Sequence, residues 1–389
     1  MSATFFDVAI VGGGLAGSSA ALILAAAGYH VGLFEAKCYP HHKVCGEFLS
    51  SECIHLFNQL GVTSHIQALC PISIRTVQIT APNGTTWTNL LPSEAWGLSR
   101  YALDKLLADH ARQQGVVVYE NSTVTNVSGR LSAKFCLEIR SASHLSTFQA
   151  RAVIAAHGKR SNLDRALNRS FLNKSQPFMG LKNHFHGPPL GDQIRLFVFP
   201  GGYCGMSEVE GGLANVCLLV RQEVFRQAGG TIEQFIAWMC QQNPLLGQWL
   251  SQATPVHDRW LSIGQVPFIR KNLVENDILM AGDAAGLITP IAGDGMVMAL
   301  HGGMLAATYV DKMLRQPTLA KSLLKDYAQD WRRQFADQMR LARALQSIML
   351  HPSLLTPGLH FLNKFPVMGE LLVRYTRDSH VLKQKRVSP

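Results

Sequence analysis

The feature that most constrains this sequence is a glycine pattern near its N-terminus, Gly12-x-Gly14-x-x-Gly17. The apolar, β-branched run at 5–11 precedes it and predicts a buried strand. The Ala- and Leu-rich run at 15–27 follows it and predicts a helix. Strand, glycine turn and helix in this order predict a unit that binds the diphosphate of a dinucleotide.

A second apolar run, 30–34, completes a βαβ unit and ends at Glu35 and Ala36. At that position Glu35 can accept hydrogen bonds from ribose hydroxyls, and its charge disfavours the 2′-phosphate of NADP. The turn itself offers the diphosphate backbone N–H groups and the positive end of a helix. The residues expected to contact the dinucleotide are Gly12, Gly14, Leu15, Ala16, Gly17, Glu35 and Ala36.

A second glycine-rich segment lies far along the chain, where Gly282 and Asp283 follow the apolar run 278–281. An aspartate at a strand end can hold a hydroxyl of a ribityl chain. The helix predicted to begin at 293–296 offers free N–H groups to the negative charge of a reduced flavin. We therefore expect Gly282, Asp283, Pro290, Gly293, Gly295 and Met296 to contact the cofactor.

This pair of motifs resembles the FAD-dependent monooxygenase superfamily typified by aromatic hydroxylases, with geranylgeranyl reductases and flavin-dependent halogenases as relatives. The resemblance covers roughly residues 1–310. Segment 43–48 looks like the Lys-x-Cys-Gly segment of the reductase-like branch, 100–115 like the family's Arg-led helix, and 153–165 like its third fingerprint. The resemblance implies one bound FAD and adds Lys43, Gly46, Arg100, Val124 and Gly158 to the expected cofactor contacts.

Two positions depart from the hydroxylase pattern. His157 stands where hydroxylases carry an aspartate that helps bind FAD and NAD(P)H, and Gly286 stands where they often carry a histidine. NADPH or NADH remains a candidate electron donor, but His157 argues against the usual contact. The halogenase signature Trp-x-Trp-x-Ile-Pro is absent, so halogenation is set aside.

The resemblance implies an α/β (α+β) fold with a Rossmann-like FAD-binding domain, an interrupting antiparallel β-sheet substrate domain and C-terminal helices. We assign 1–70, 97–169 and 265–345 to the first domain and 71–96 with 170–264 to the second. Residues 346–389 form the C-terminal helical segment. Alternating apolar residues predict a substrate floor for which the candidates are His184, Phe199, Tyr203 and Met206.

The implied function is an FAD-dependent monooxygenase that acts on a hydrophobic small molecule through a flavin C4a-hydroperoxide, with O2 as co-substrate. The alternatives are a C=C reductase of isoprenoid chains and a non-catalytic flavin redox sensor. Cys45 is a candidate proton donor, or else a small residue that packs under the flavin ring. Glu47 is a candidate acid or base, or else a carboxylate at a helix start.

The net charge is +10, and the basic residues are scattered along the chain apart from the tail 383–386. Because no nucleic-acid-binding motif is present either, we expect no nucleic-acid partner. We expect no metal either, because the cluster Cys38, His41, His42 and Cys45 lacks a second ligand pair at finger spacing.

Cysteine usage and the first residues favour a cytoplasmic protein. The apolar stripe at 354–375 predicts packing over the substrate domain, with a peripheral membrane or carrier-protein contact as the alternative.

Overall fold

The computed structural model describes residues 4–142 and 144–377 of the chain. Its strands, in chain order, are β1 (Thr4–Val11), β2 (Val31–Phe34), β3 (Phe48–Leu49), β4 (Ile72–Thr80), β5 (Thr86–Gly97), β6 (Val117–Tyr119), β7 (Ser122–Arg130), β8 (Lys134–Ser141), β9 (His144–Ala155), β10 (Phe178–His186), β11 (Gln193–Phe199), β12 (Gly202–Val209), β13 (Leu213–Arg221), β14 (Thr254–Pro255), β15 (Leu261–Ile263), β16 (Val274–Glu275) and β17 (Ile278–Met280). Its α-helices are α1 (Leu15–Ala26), α2 (Ser51–Gln59), α3 (Thr63–Gln67), α4 (Arg100–Gln113), α5 (Asn162–Ala166), α6 (Gln222–Gln227), α7 (Ile232–Gln242), α8 (Pro244–Ser251), α9 (Gly295–Arg315), α10 (Ala320–Met349), α11 (Pro352–Lys364) and α12 (Pro366–Arg377).

The first sheet contains the βαβ unit that the glycine pattern predicts. Strands β17, β9, β1, β2 and β6 lie side by side and parallel, and β7 and β8 extend the sheet in antiparallel fashion from β9. The carboxyl ends of parallel strands meet at one edge, where ligands bind in open α/β sheets. Both glycine-rich segments follow strands that end at this edge, β1 and β17.

The second sheet has the order β14-β10-β13-β12-β11-β4-β5-β3, with β15 also paired to β10. The hairpin expected in 71–96 is present as β4 and β5. Strands β4 and β11 pair in parallel, so the sheet is mixed rather than wholly antiparallel. The two-residue strand β3 belongs to this sheet although its residues lie in the segment 1–70. The mixed α/β architecture and the C-terminal helices agree with the expected fold class.

The C-terminal helices present an apolar surface on two sides. Leu355, Leu359 and Val373 are buried in a cluster with Trp87 of β5, so the C-terminal helices pack over the second sheet. A second set is exposed, namely Leu354, Phe361, Phe365, Val367, Met368, Leu371 and Tyr375. The basic tail 383–386 lies outside the described residues. None of the helices in the described ranges has the length and apolar character to cross a membrane.

Helices α1 and α9 pack at a distance that only glycine permits. A Cβ on Gly303 would lie 2.1 Å from the backbone oxygen of Ala16 and 2.3 Å from Oγ of Ser19. The Ser19 hydroxyl also donates across this contact to the carbonyl of Leu300, at 2.9 Å. At the adjacent Gly302, the nearest atom to an added Cβ would be the backbone nitrogen of Gly282, at 3.6 Å. This close contact holds the helix that follows the first glycine motif against the helix that follows the second.

We expect Gly303→Ala to lower the free energy of unfolding by about 1 to 3 kcal/mol, because the added methyl group overpacks the contact between the two helices. Gly302→Ala is the matched control, and its effect should be neutral or stabilising by up to about 1 kcal/mol through helix propensity. Urea unfolding at saturating FAD measures both variants. Equal destabilisation by the two substitutions would contradict the close contact at Gly303.

Candidate functional site

A cavity of about 580 Å³ lies between the carboxyl edge of the first sheet and one face of the second. Every cofactor contact expected from the sequence lines it except Gly17. Gly17 packs beneath the turn, where a Cβ would lie 1.8 Å from the carbonyl oxygen of Gly12. Its role is the close approach of helix to strand, as the motif implies.

The first glycine turn is fixed in shape by side chains behind it. Gly12 has a φ of +99°, and a Cβ there would lie 2.5 Å from the carbonyl oxygen of Ala156. Glu35 accepts from the backbone N–H of Gly13 at 2.9 Å, and from that of Lys37 at 3.1 Å. Helix α1 begins after Gly14 with no side-chain cap, so its first N–H groups are free to face an anion.

Two cations stand beside this turn. A Cβ on Gly14 would lie 3.5 Å from both Nζ of Lys43 and Nη2 of Arg100. Asp104, buried one helical turn after Arg100, accepts from its Nε and Nη2 at 2.7 and 2.8 Å and pairs with Lys43 at 2.9 Å. Burial acts against the charge of Asp104, but Arg100 and Lys43 outweigh it and hold the pKa of this carboxyl below its usual value. A diphosphate at the turn would therefore meet positive charge that is already held in place.

The second glycine segment is held from behind by a buried lysine. Lys271 donates to the carbonyl of Asp283 at 2.8 Å and to that of Lys159 at 2.9 Å. Burial is the main reason why the pKa of Lys271 falls to about 8. Gly293 adopts a left-handed conformation, with a φ of 70°, and α9 begins two residues later. This turn directs the start of α9 toward the cavity.

The two departures from the hydroxylase pattern have different structural roles. A Cβ on Gly286 would lie 2.7 Å from the ring of Trp331 on α10, so a larger residue is excluded by packing. His157 lines the cavity, and its Nε2 bonds to Asp164 at 2.9 Å. Asp164 also accepts from Arg169 at 2.9 Å. Burial raises the pKa of Asp164, but His157 and the other donors outweigh it and set that pKa at about 2.

Glu47 occupies a fully buried position between β10 of the second sheet and the start of α4. It adopts a left-handed conformation, with a φ of 54°, and lies four residues before α2, so it is not a helix-start carboxylate. Its carboxylate pairs with Nζ of Lys182 and with Nε2 of His184 at 2.7 Å, and it accepts from the backbone N–H of Arg100 at 2.7 Å. Burial opposes ionisation, but His184 and Lys182 outweigh it and lower the pKa of Glu47.

Two thiols lie at the cavity wall. Cys45 is half-buried, and its Sγ accepts from the backbone N–H of Glu47 at 3.4 Å. Cys217, on β13, lines the same cavity, and burial followed by the neighbouring Cys45 raises its pKa to about 12. Cys217 was not expected from the sequence, because no local pattern separates it from an ordinary strand cysteine.

The four substrate candidates fall on different faces of the second sheet. Tyr203 and Met206 line the cavity, although Met206 also packs in the apolar cluster behind the sheet. Phe199 does not line it. Its ring packs with Phe235 on α7, because odd-numbered residues of β11 face away from the cavity. His184 is bound to Glu47 and is not a lining residue.

A group of three histidines lies beside the cavity, and His42 is its one member that lines the wall. The ring of His42 lies between those of His184 and His257, with centroids 5.3 and 4.7 Å away. Burial, followed by the charge of Lys182, lowers the pKa of His42 to about 4. His257 lies far away in sequence, in an irregular segment that gives no periodic signal.

Comparison with known proteins gives one family and several relatives. A family model described as "FAD binding domain" matches residues 6–342. Digeranylgeranylglycerophospholipid reductase 1 of Methanothermobacter thermautotrophicus is 27% identical over 86% of this chain and 84% of its own length. The fold is shared with the myxobacterial chondrochloren halogenase CndH (TM-score 0.79, 20% identity, 98% of this chain and 91% of the halogenase). It is also shared with a geranylgeranyl bacteriochlorophyll reductase-like protein of Thermoplasma acidophilum (TM-score 0.73, 20% identity, 95% of this chain and 99% of that protein). These findings confirm the resemblance that the motifs indicated.

The acid sensitivity of this site can be tested at Asp164. Because its pKa in the folded state lies near 2, below the ordinary value of 3.8, its contribution to stability is present above about pH 4 and is lost as the pH falls toward 2. Asp164→Asn should therefore lower the free energy of unfolding by about 2 kcal/mol at pH 7 and by progressively less below pH 4. Denaturant titrations at several pH values check this. The partly exposed Asp109→Asn is the control, and a pH-independent effect at Asp164 would contradict the assignment.

The cation pair can be tested by FAD binding. Lys43→Gln removes one charge beside Gly14, while Asp104 keeps Arg100 as its partner. We expect FAD to bind about tenfold to a hundredfold more weakly, as for loss of a charge-assisted hydrogen bond. Fluorescence titration of the deflavinated protein measures this. Lys105→Gln, on the outer side of α4, should bind FAD like the wild type, and an equal loss in both variants would count against the site.

Proposed function

The chain belongs to the FAD binding domain family, a family of FAD-dependent oxidoreductases, and from that membership we propose that it reduces a C=C bond in an apolar, isoprenoid-like small molecule. The observation that carries the proposal is the half-buried thiol of Cys45 in the wall of an otherwise largely apolar substrate region. The similarity to archaeal digeranylgeranylglycerophospholipid reductases supports it. We therefore propose reduction, the alternative from the sequence, ahead of oxygenation.

The residues present fit FAD on physical grounds. The glycine turn leaves room that a Cβ would fill, two cations flank it, and free helix N-termini face the cavity from α1 and α9. When bound and reduced, FAD supplies the hydride in this chemistry. The electron donor that reduces it is itself part of the proposal, with NADPH and NADH as candidates.

The substrate region has an apolar lining. Its side chains come from the second sheet and from the segments that follow β15 and β17, and they include Ile194, Leu196, Tyr203, Leu219, Ile263, Val266, Phe268 and Leu287. Such a wall suits an alkyl or prenyl chain and excludes water from it.

Cys45 would deliver the proton in this reaction. Reduction of C=C adds a hydride to one carbon and a proton to the other, so the proton donor must face the substrate. The thiol of Cys45 loses its proton to the second carbon, and the thiolate then regains one from water. The guanidinium of Arg100 lies within hydrogen-bonding reach of Cys45.

The second candidate is monooxygenation of a hydrophobic polyketide, aromatic or isoprenoid molecule with O2. It is favoured by Tyr203, whose buried hydroxyl lies in the wall where it can orient a polar group on a flat substrate. In oxygen transfer, the protein needs only to orient the substrate and to exclude water. It requires neither thiol.

One anaerobic experiment separates the two reactions. The flavoprotein is reduced with NADPH, NADH or dithionite and mixed with a polyprenyl substrate in the absence of O2. We expect substrate-dependent flavin reoxidation and a product heavier by two hydrogens. Cys45→Ala should slow this step by a factor of about 100 or more, the usual contribution of a general acid. Cys217→Ala is the matched control, because burial raises the pKa of this thiol to about 12 and makes it a poor proton donor.

Two results would contradict reduction of a C=C bond. If the reduced protein is reoxidised only after O2 is added, and the product gains one oxygen atom, reduction is wrong and monooxygenation takes its place. If no substrate changes the rate of flavin reduction or reoxidation, both reactions fail and the redox-sensor alternative gains support.

A further inference from the structure

Three histidines from separate parts of the chain converge at one end of the cavity. His42 lies in the loop between β2 and β3, His184 on β10, and His257 two residues after β14. One ring nitrogen from each lies within 4.8 Å of the other two. His42 also lines the cavity, so the group lies beside the proposed flavin site without belonging to its glycine motifs.

The hydrogen bonds leave ring-nitrogen lone pairs of these three histidines available. Nδ1 of His42 and Nε2 of His257 are buried, and neither has a hydrogen-bond partner in the described parts of the chain. Buried polar atoms without partners are uncommon and call for a physical explanation. Nε2 of His184 faces the carboxylate of Glu47, which favours the tautomer that leaves Nδ1 with its lone pair.

Each ring is held by a neighbour outside the group. Tyr101 stacks on His42 with a centroid distance of 4.5 Å, Glu47 bonds to His184, and Asn183 donates to the backbone carbonyl of His257 at 2.7 Å. A carboxylate that accepts from a ligand histidine is the arrangement that orients and strengthens such ligands in metal sites. The positive charge of Lys182 opposes a cation here, but the ion pair with Glu47 balances that charge.

We propose that His42, His184 and His257 bind one divalent transition-metal ion, with Zn²⁺ as the ion that best suits three imidazoles. Tetrahedral Zn²⁺ with Zn–N bonds of about 2.0–2.1 Å brings ligand nitrogens to about 3.4 Å from one another, so the rings need to close by little more than 1 Å. The fourth coordination position is left to water or to a ligand in the cavity. The ion would tie the loop that carries Lys43 and Cys45 to the second sheet.

Metal binding can be measured without reference to turnover. The full-length flavoprotein, free of any polyhistidine tag, is treated with a chelator, dialysed against Zn²⁺ and assayed for zinc and FAD. We expect one zinc per chain. His42→Gln and His257→Gln should each weaken binding by at least about 100-fold, more than the loss of an outer-shell partner. His186→Gln, on the same strand as His184 but exposed, should bind zinc like the wild type.

Folding is checked separately, by FAD content and circular dichroism of each variant. Because His257 lies in a loop, its substitution is the safer of the two if His42→Gln fails to retain FAD. The proposal is overturned if the wild type binds no zinc at micromolar concentrations, or if folded His257→Gln binds it as tightly as the wild type. It is also overturned if His186→Gln loses zinc to the same extent, since the ion would then bind elsewhere.

Discussion

The buried carboxylate of Glu47 joins the two halves of this molecule. It belongs to the loop that follows the first βαβ unit, yet its partners Lys182 and His184 lie on β10 of the second sheet. Removing one partner from a buried ion pair typically costs several kcal/mol, because the remaining charge stays buried and uncompensated. The same carboxylate holds the first N–H of α4 at Arg100. The loop that carries Lys43, Cys45 and Glu47 is therefore anchored to β10 and to the start of α4 at once.

This anchoring holds Lys43 and Cys45 between the glycine turn and the cavity wall. Cys45 lies two residues before Glu47, and Lys43 two residues before that, so one short segment contributes a cation to the glycine turn and a thiol to the cavity wall. The left-handed backbone at Glu47 is a strained conformation for a residue with a side chain. The bonds to Lys182 and His184 hold the residue there. The geometry of the cavity wall at Cys45 thus depends on the same contact that joins this loop to β10.

Gly286 and His157 both depart from the family pattern, but they have different roles in the fold. In sequence, both residues depart from the hydroxylase pattern, but only His157 replaces a residue that helps to bind FAD and NAD(P)H. In the fold, Gly286 is required by the ring of Trp331, whereas His157 faces the cavity and is bonded to Asp164. Only His157 therefore bears on what the cavity can bind.

The sequence by itself determined the elements whose signals are local. The glycine spacing, the apolar runs around it and the hairpin at 71–96 each depend on neighbouring residues, and each was predicted correctly. The pairing of Asp104 with Arg100 could also have been predicted, since Asp104 follows Arg100 by one helical turn. Only the tertiary structure decided which face Phe199 takes, that Lys182 and His184 meet Glu47, and that His257 joins His42. The contacts of Glu47 with its two partners and of His42 with His257 link residues more than 130 positions apart, and burial and pairing of charge, rather than periodicity, select them.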